Sequence, residues 1–504
     1  MTETTPITTP TSRSDGKGER STLIRIAASL TPRDEATAPD ARPTMDRARA
    51  IAVWGWRFFA AFALLSAVSS VDRLIGPASE PAFFKFHAAD FGGFYTGATI
   101  AHEGNYENLG NIDTQKETQA RIQRSEETGW RWFNPLPHPP ILSFFTSPLA
   151  QLPIRTAYWV WVIGSLAAAA LAAYLLGRAL TPAVPIATTI IMVTFEPLWH
   201  LVWWGQVDAF VLLPFAAGCA LLVRSRSRGD DFAAGALMGS MAIIPQYAIV
   251  PFLALAWGRR WAAAGMAAVG GALAFASVLL VGRTGLDHYR DMVEYFGAFR
   301  GTDTVTEWAM FNVRGVLLRQ FPELSHTTAE RLVWVVSLGL AALAVVAAGR
   351  ALPKRRAPDL ALGLVALAAL VTSYHTHRQT MVFLFVLFAA FIGRSLKPGV
   401  APWMIPVWAA PVIFFHVGAD YLRDAPYRYI FYPIQRYLTP PAIGLLVVLA
   451  LVLLIPPLAR RLWLRSGSNV TAPVGPYAKR GCRRPGEASR RPDEYSPFRA
   501  PSRW

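Results

Sequence analysis

TAYWVWVIGSLAAAALAAYLLGR, residues 156–178, runs twenty-two residues without a charge before Arg178 closes it. About 20 apolar residues, rising 1.5 Å each as a helix, cross the hydrocarbon core of a bilayer. The stretch is too long for a strand and too continuous for a helix with one wet face. It reads as a membrane span near 155–177. The rest of the chain agrees: of 504 residues, 53% are hydrophobic and 16% charged, against about 25% charged in a soluble domain. That balance excludes a secreted enzyme, a cytosolic multidomain protein and a disordered chain.

Working outward, a first span is expected near 51–70. Ten more follow 155–177: 184–202, 208–223, 232–244, 246–258, 262–281, 331–349, 358–373, 379–393, 400–417 and 440–459. The pair at 232–258 reads as a hairpin broken at Pro245, because basic loops stand at both of its ends. The short apolar stretch 141–152 reads as a juxtamembrane or re-entrant helix. The fold class expected is therefore all-α, a polytopic membrane protein of about twelve transmembrane helices. Its membrane domain covers 46–465, with outside loops 71–138, 282–330 and 418–439. Residues 1–45 and 466–504 read as disordered cytoplasmic tails, and no cleavable leader is seen in the polar first 50 residues.

The net charge is +16. A basic chain invites a nucleic-acid reading, but the charge lies elsewhere. The two tails and five short loops (around Arg178, Arg224–Arg228, Arg259–Arg260, Arg350–Arg356 and Arg394–Lys397) carry +18, the remaining loops carry −3, and Arg57 in the first span supplies the last positive charge. Excess Lys and Arg in short loops marks the cytoplasmic side, and anionic lipid is the natural partner. Both termini are expected inside, and nucleic acid is not expected. The two cysteines, Cys219 and Cys482, form no disulfide framework or metal cluster.

Five segments carry candidate chemistry. Asp90 stands in Asp90-Phe91-Gly92-Gly93-Phe94-Tyr95, where glycines permit close backbone approach; the alternative is a solvated loop carboxylate or a helix cap. Asn134-Pro135-Leu136-Pro137-His138-Pro139-Pro140 is a stiff, donor-poor turn leading back to the membrane, with His138 read as structural. Glu196-Pro197-Leu198-Trp199-His200 through Gly205-Gln206-Val207-Asp208 combines an interfacial Trp belt with Glu196, His200 and Asp208 at membrane depth, where ionisable groups usually line a cavity. Ser373-Tyr374-His375-Thr376-His377-Arg378 places two His and an Arg on a turn, able to hold a phosphate or to form an interfacial wet turn. The loop 282–330 supplies Arg300 and Arg314 among other arginines. Two His at i, i+2 lack a full zinc ligand set. There is no Walker loop, dinucleotide fingerprint, His-Glu-x-x-His or nucleophile elbow.

In this order, Asp90–Gly97 with Gly104-Asn105-Tyr106, the Asn134–Pro140 turn with Ser147–Pro153, Gly205–Asp208, Ala234–Gly239 and Ser373–His377 resemble the GT-C polytopic glycosyltransferases, most closely glycosyltransferase family 87, over about residues 50–395. The resemblance implies a GT-C-like fold and a polyprenyl-phosphate-linked sugar, mannose first, as donor. The acceptor would be a lipid-linked or cell-envelope glycan, and the active site extracytoplasmic at a bacterial inner membrane; the Ala- and Arg-rich composition also suits a bacterial source. Asp90 would be the general base of an inverting transfer. His375 and His377 would act at the phosphate. Tyr95, Glu196, Gln206, Asp208, Arg300, Arg314 and Arg378 would bind substrate. No cofactor is implied, and a metal is not required on charge grounds. The family often carries a Lys near the top of the short hairpin, where this chain has Pro245-Gln246; an Arg from 282–330, or Arg378, would substitute. Arabinosyl- or aminoarabinosyltransferases and a glycan ligase share these features. A lipid or glycan transporter is the rival of another class, with paired broken helices as its mark, and a non-catalytic scaffold is the third reading.

Overall fold

The computed structural model describes residues 47–75, 89–126, 133–300, 310–321, 323–353, 357–398, 400–423 and 438–455. These residues are helical throughout, apart from turns and an isolated antiparallel bridge between Met310 and His377. The expected tails, and residues 424–437 of the third outside loop, lie outside the described residues.

The first helix, α1 (Arg47–Ile75), buries Ala52, Val53, Trp56 and Ala60 and exposes Trp54, Phe58, Phe62 and Leu65. A helix that is apolar on its exposed face as well as its buried one belongs in lipid. The segment expected as an outside loop to 138 is itself structured. It holds α2 (Ala89–His102) and α3 (Ile112–Glu126), joined by a turn through Gly104. Helix α3 is polar, but buries Gln115, Gln119 and Ile122 at helical spacing. Pro139 and Pro140 then start the short α4 (Pro140–Thr146), which a 3-10 turn, Ser147–Gln151, extends; it occupies the stretch expected as a juxtamembrane or re-entrant helix, with Phe144 and Phe145 exposed.

The quoted stretch forms α5 (Ile154–Leu180), begun by Pro153. The next run is two helices, α6 (Pro185–Val193) and α7 (Glu196–Trp204), bent by 51°. The bend frees the Ile191 carbonyl, because Phe195 N–H turns to Met192 instead, and side chains recover it: Thr194 Oγ1 donates to it at 3.3 Å, and His416 Nε2 lies 3.1 Å from it. Then come α8 (Asp208–Arg224), α9 (Arg228–Met238) and α10 (Pro245–Gly258). A Ser227–Asp230 capping box opens α9, and the expected break falls between Ile243 and Pro245. Helix α11 (Arg260–Arg300) departs from expectation: it does not end at 281 but continues beyond Gly282, whose φ of 64° and ψ of −167° kink it. Its outer part packs on the α2–α3 turn, where His288 Nδ1 lies 2.9 Å from the Glu107 carbonyl.

Helix α12 (Val313–Gln320) and α13 (His326–Ala351) follow. The centre of the bundle is α14 (Pro358–Thr372) and α15 (Phe385–Ser395), buried almost throughout. Helices α16 (Met404–Arg423) and α17 (Thr439–Leu454) pack outside them. Among the described residues, five helices are long and apolar enough to cross a membrane, or six with the bent α6–α7 pair as one; three shorter apolar helices accompany them. Prolines and breaks divide the other apolar runs into shorter lengths.

Candidate active site

Asp90 lies in the first turn of α2, where a carboxylate complements the helix dipole. Two carboxamides hold it. Asn134 Nδ2 donates to Oδ1 at 2.8 Å, and Gln206 Nε2 donates to Oδ2. The residue as a whole is partly buried, and its carboxylate is held at both oxygens. Burial pushes its carboxyl above the usual carboxylate range, against the two amides, which favour the anion.

The local chain makes this possible. Gly205 ends α7 in the left-handed conformation, φ 73°, and a Cβ there would stand 2.5 Å from Phe91 Cβ. Only glycine combines that conformation with that contact, and it turns Gln206 towards Asp90. Aromatic residues of α5 anchor the same corner: Tyr158 donates to the Val202 and Trp203 carbonyls at 3.2 Å each, and Trp161 Nε1 to the Gln206 carbonyl at 3.3 Å. The glycines after Asp90 serve the fold as well. A Cβ on Gly93 would meet the Asn134 carbonyl at 3.0 Å, and one on Gly97 would meet Ser143 Oγ at 2.8 Å. The close approach that they permit is to the chain's own 134–143 segment.

Asp208 is buried in the first turn of α8 and feels the charge of Asp90. On its other side Tyr247 of α10 lies within its electrostatic reach, and the Tyr247 hydroxyl donates to the His375 carbonyl at 2.9 Å. Tyr247 therefore links the carboxylate corner to the histidine turn. That turn is fastened from outside its own helices: Asn312 Nδ2 donates to the Ser373 carbonyl at 2.9 Å and the Tyr374 carbonyl at 3.1 Å, and Phe311 N–H to that of Thr376 at 2.6 Å.

His375 and His377 face each other edge to face, their Nε2 atoms 2.6 Å apart. One ring must donate and the other accept, so the pair shares a proton at that contact. Beside them Arg378 and Glu196 form a buried two-pronged pair, Nε to Oε2 at 2.6 Å with a second contact at Oε1. His200 feels both Arg378 and His377. Arg314 pairs with Glu330, Nε to Oε1 at 2.9 Å, and lays its guanidinium 4.5 Å from the Tyr374 ring centre, with Trp334 stacked on that ring.

The fold thus brings Asp90, Gln206 and Asp208 to one corner and Glu196, His375, His377 and Arg378 to another, with Tyr247 between. Arg314 adjoins the second corner through Tyr374. Tyr95 turns its hydroxyl to the Leu152 carbonyl at 2.7 Å, tying α2 to the turn before α5. Arg300 ends α11, and its side chain lies outside the described residues. His138 sits against Phe94 at 4.9 Å between ring centres, and burial lowers its imidazole to about 4, leaving it neutral near pH 7. Three residues absent from the expected set take part: Asn134, Tyr247 and Glu330. Asn134 stands in a quoted motif whose prolines signal only a stiff turn, and Tyr247 directly follows Pro245-Gln246. Among the described residues, no three His, Cys, Asp or Glu side chains converge as metal ligands.

Bundle and site together define a polytopic helical membrane protein in which a clamped carboxylate and a cluster of cationic and imidazole side chains are linked through Tyr247. Residues 137–374 match the family model of glycosyltransferase family 87, and over this segment the chain is similar to that family. The match holds Glu196, Gln206, Asp208 and Arg314, stops one residue before His375, and begins after Asp90 and Asn134. No curated protein and no solved structure matches the chain.

Proposed function

We propose that this protein is a glycosyltransferase that moves a sugar, mannose on the family resemblance, from a polyprenyl phosphate to a hydroxyl of a lipid-linked or cell-envelope glycan. The setting is the outer face of a bacterial inner membrane, with twelve spans and both termini in the cytoplasm. The observation that carries the reading is Asp90, a carboxylate clamped at both oxygens at the junction of three separate sequence motifs.

In the step proposed, the acceptor O–H gives its proton to Asp90. The acceptor oxygen forms a bond to the anomeric carbon, and the bond from that carbon to the phosphate oxygen breaks on the opposite face. Configuration inverts, and polyprenyl phosphate leaves with the electron pair. A phosphate is already a good anion, so one base suffices and no paired acid is needed, unlike glycoside hydrolysis. In this reading the His375–His377 pair and the Arg378 side chain stabilise the phosphate charge. Arg378 is already neutralised in part by Glu196, so the histidines carry more of this task. Gln206 and Asp208 line the approach to Asp90, and membrane lipid surrounds the whole.

The test is transfer by the protein in lipid nanodiscs, from radiolabelled polyprenyl-phosphate-mannose to a membrane lipid extract. Wild type is expected to transfer, and Asp90→Asn to lose about a hundredfold or more. Equal transfer by a folded Asp90→Asn removes Asp90 as base. No transfer by wild type, followed by transport of the labelled lipid between leaflets, would favour a transporter.

A further inference from the structure

The segment that carries Asn134 is unusual in its hydrogen-bond accounting. Pro135, Pro137, Pro139 and Pro140 have no N–H to give. Two of the remaining backbone donors are captured by one face of α3: Asn134 N–H donates to Gln119 Oε1 at 3.2 Å, and Leu136 N–H to Gln115 Oε1 at 2.9 Å. Both glutamines are almost wholly buried, 3% and 1% exposed. Gln115 is itself fixed, donating to the Leu109 carbonyl at 2.5 Å. The Asn134 carbonyl seats against Gly93, one turn along from Asp90. A proline-stiffened strip is thus pinned at two points, and the side chain it presents is the amide on Asp90 Oδ1.

We propose that Asn134 is a positioning residue for the base, and that with Gln206 it forms a carboxamide clamp which fixes the rotation of the Asp90 carboxylate and keeps it ionised for the acceptor hydroxyl. This rests on the reading of Asp90 as the base. A carboxylate offers about four lone-pair sites. The clamp occupies one on each oxygen and leaves the others for the acceptor. Both donors come from neutral amides, which favour the anion without competing for its proton. Asp208 on α8 lies within electrostatic reach of Asp90 from another packed element. An ionised Asp208 would oppose ionisation of Asp90, and the clamp would work against it. His138, on the same strip as Asn134, is neutral and adds no charge.

The test follows the carboxyl itself in the full-length protein in lipid nanodiscs. The infrared band of protonated Asp90, isolated by subtracting the matching Asp90→Asn spectrum, is titrated in wild type, Asn134→Leu and Gln206→Met. Both substitutions keep the approximate shape of the side chain and remove the donor. Each is expected to raise the midpoint by about one pH unit and to carry the acid limb of sugar transfer upward with it. Asp208→Asn is expected to lower the midpoint. An unchanged midpoint in the folded donor-deleted variants overturns the clamp; a simple packing defect would lower stability and leave the midpoint in place. Midpoints that rise while wild type transfers sugar to no acceptor keep the clamp and overturn the base reading instead.

Discussion

At the scale of single residues, the site is built by groups that resist being where they are. Burial makes Asp90 bind its proton more tightly in the fold than in the unfolded chain. Its contribution to stability therefore falls as pH rises through the carboxylate range, and acid favours the fold at this position. Two outcomes are expected. Asp90→Asn melts no lower than wild type at neutral pH while losing transfer, as a thermal scan in nanodiscs beside the transfer assay will show. The acid limb of wild-type transfer lies above the ordinary carboxylate value of about 4, since the base works only when ionised. Removing one side of a buried ion pair is more damaging. Glu196→Gln strands Arg378 and is expected to cost about 3–5 kcal/mol, read as a lowered denaturation midpoint. Replacing both residues by apolar ones should cost less.

At the scale of elements, the bundle depends on where helices stop. Gly205 stops α7 and aims Gln206; Gly205→Ala combines a left-handed strain of about 1–3 kcal/mol with displacement of Phe91. It should lower both melting temperature and transfer. Gly282 is the contrasting case. Its conformation is one essentially confined to glycine, yet a Cβ there would meet nothing within 4 Å. Gly282→Ala should therefore act through the backbone alone, straightening α11 and lifting its outer part from the α2–α3 turn. Hydrogen exchange at residues 104–110 is expected to quicken, with the core helices α14 and α15 unchanged.

At the scale of the whole molecule, the charge distribution and the exposed apolar faces of α1, α5 and α13 argue for one orientation in a bilayer. In a Cys482→Ser background the remaining Cys219 is buried. Asp113→Cys on α3 should then react with an impermeant maleimide in intact cells. Arg226→Cys, in the loop before α9, should react only after lysis. Reaction of Arg226→Cys from outside would invert the proposed topology.

Several layers of this protein are legible in its amino-acid sequence alone. Uninterrupted apolar runs such as 156–177 dictate helices in lipid, because a backbone in hydrocarbon must satisfy its own hydrogen bonds. Pro245 marks its break for the same local reason, and the motifs around Asp90, Gln206, Asp208 and His375 stand out by residue type. What a linear reading leaves open is partnership between distant segments. Nothing local says that Asn134 will reach Asp90, that Arg378 will be met by Glu196 182 positions away, or that a turn at 373–377 will be sewn down by Asn312. Those choices belong to the packing of the bundle, which decides which buried polar groups meet. A buried donor or acceptor left alone costs about 1–3 kcal/mol, so the folded chain pairs them across whatever distance in sequence the tertiary structure has closed.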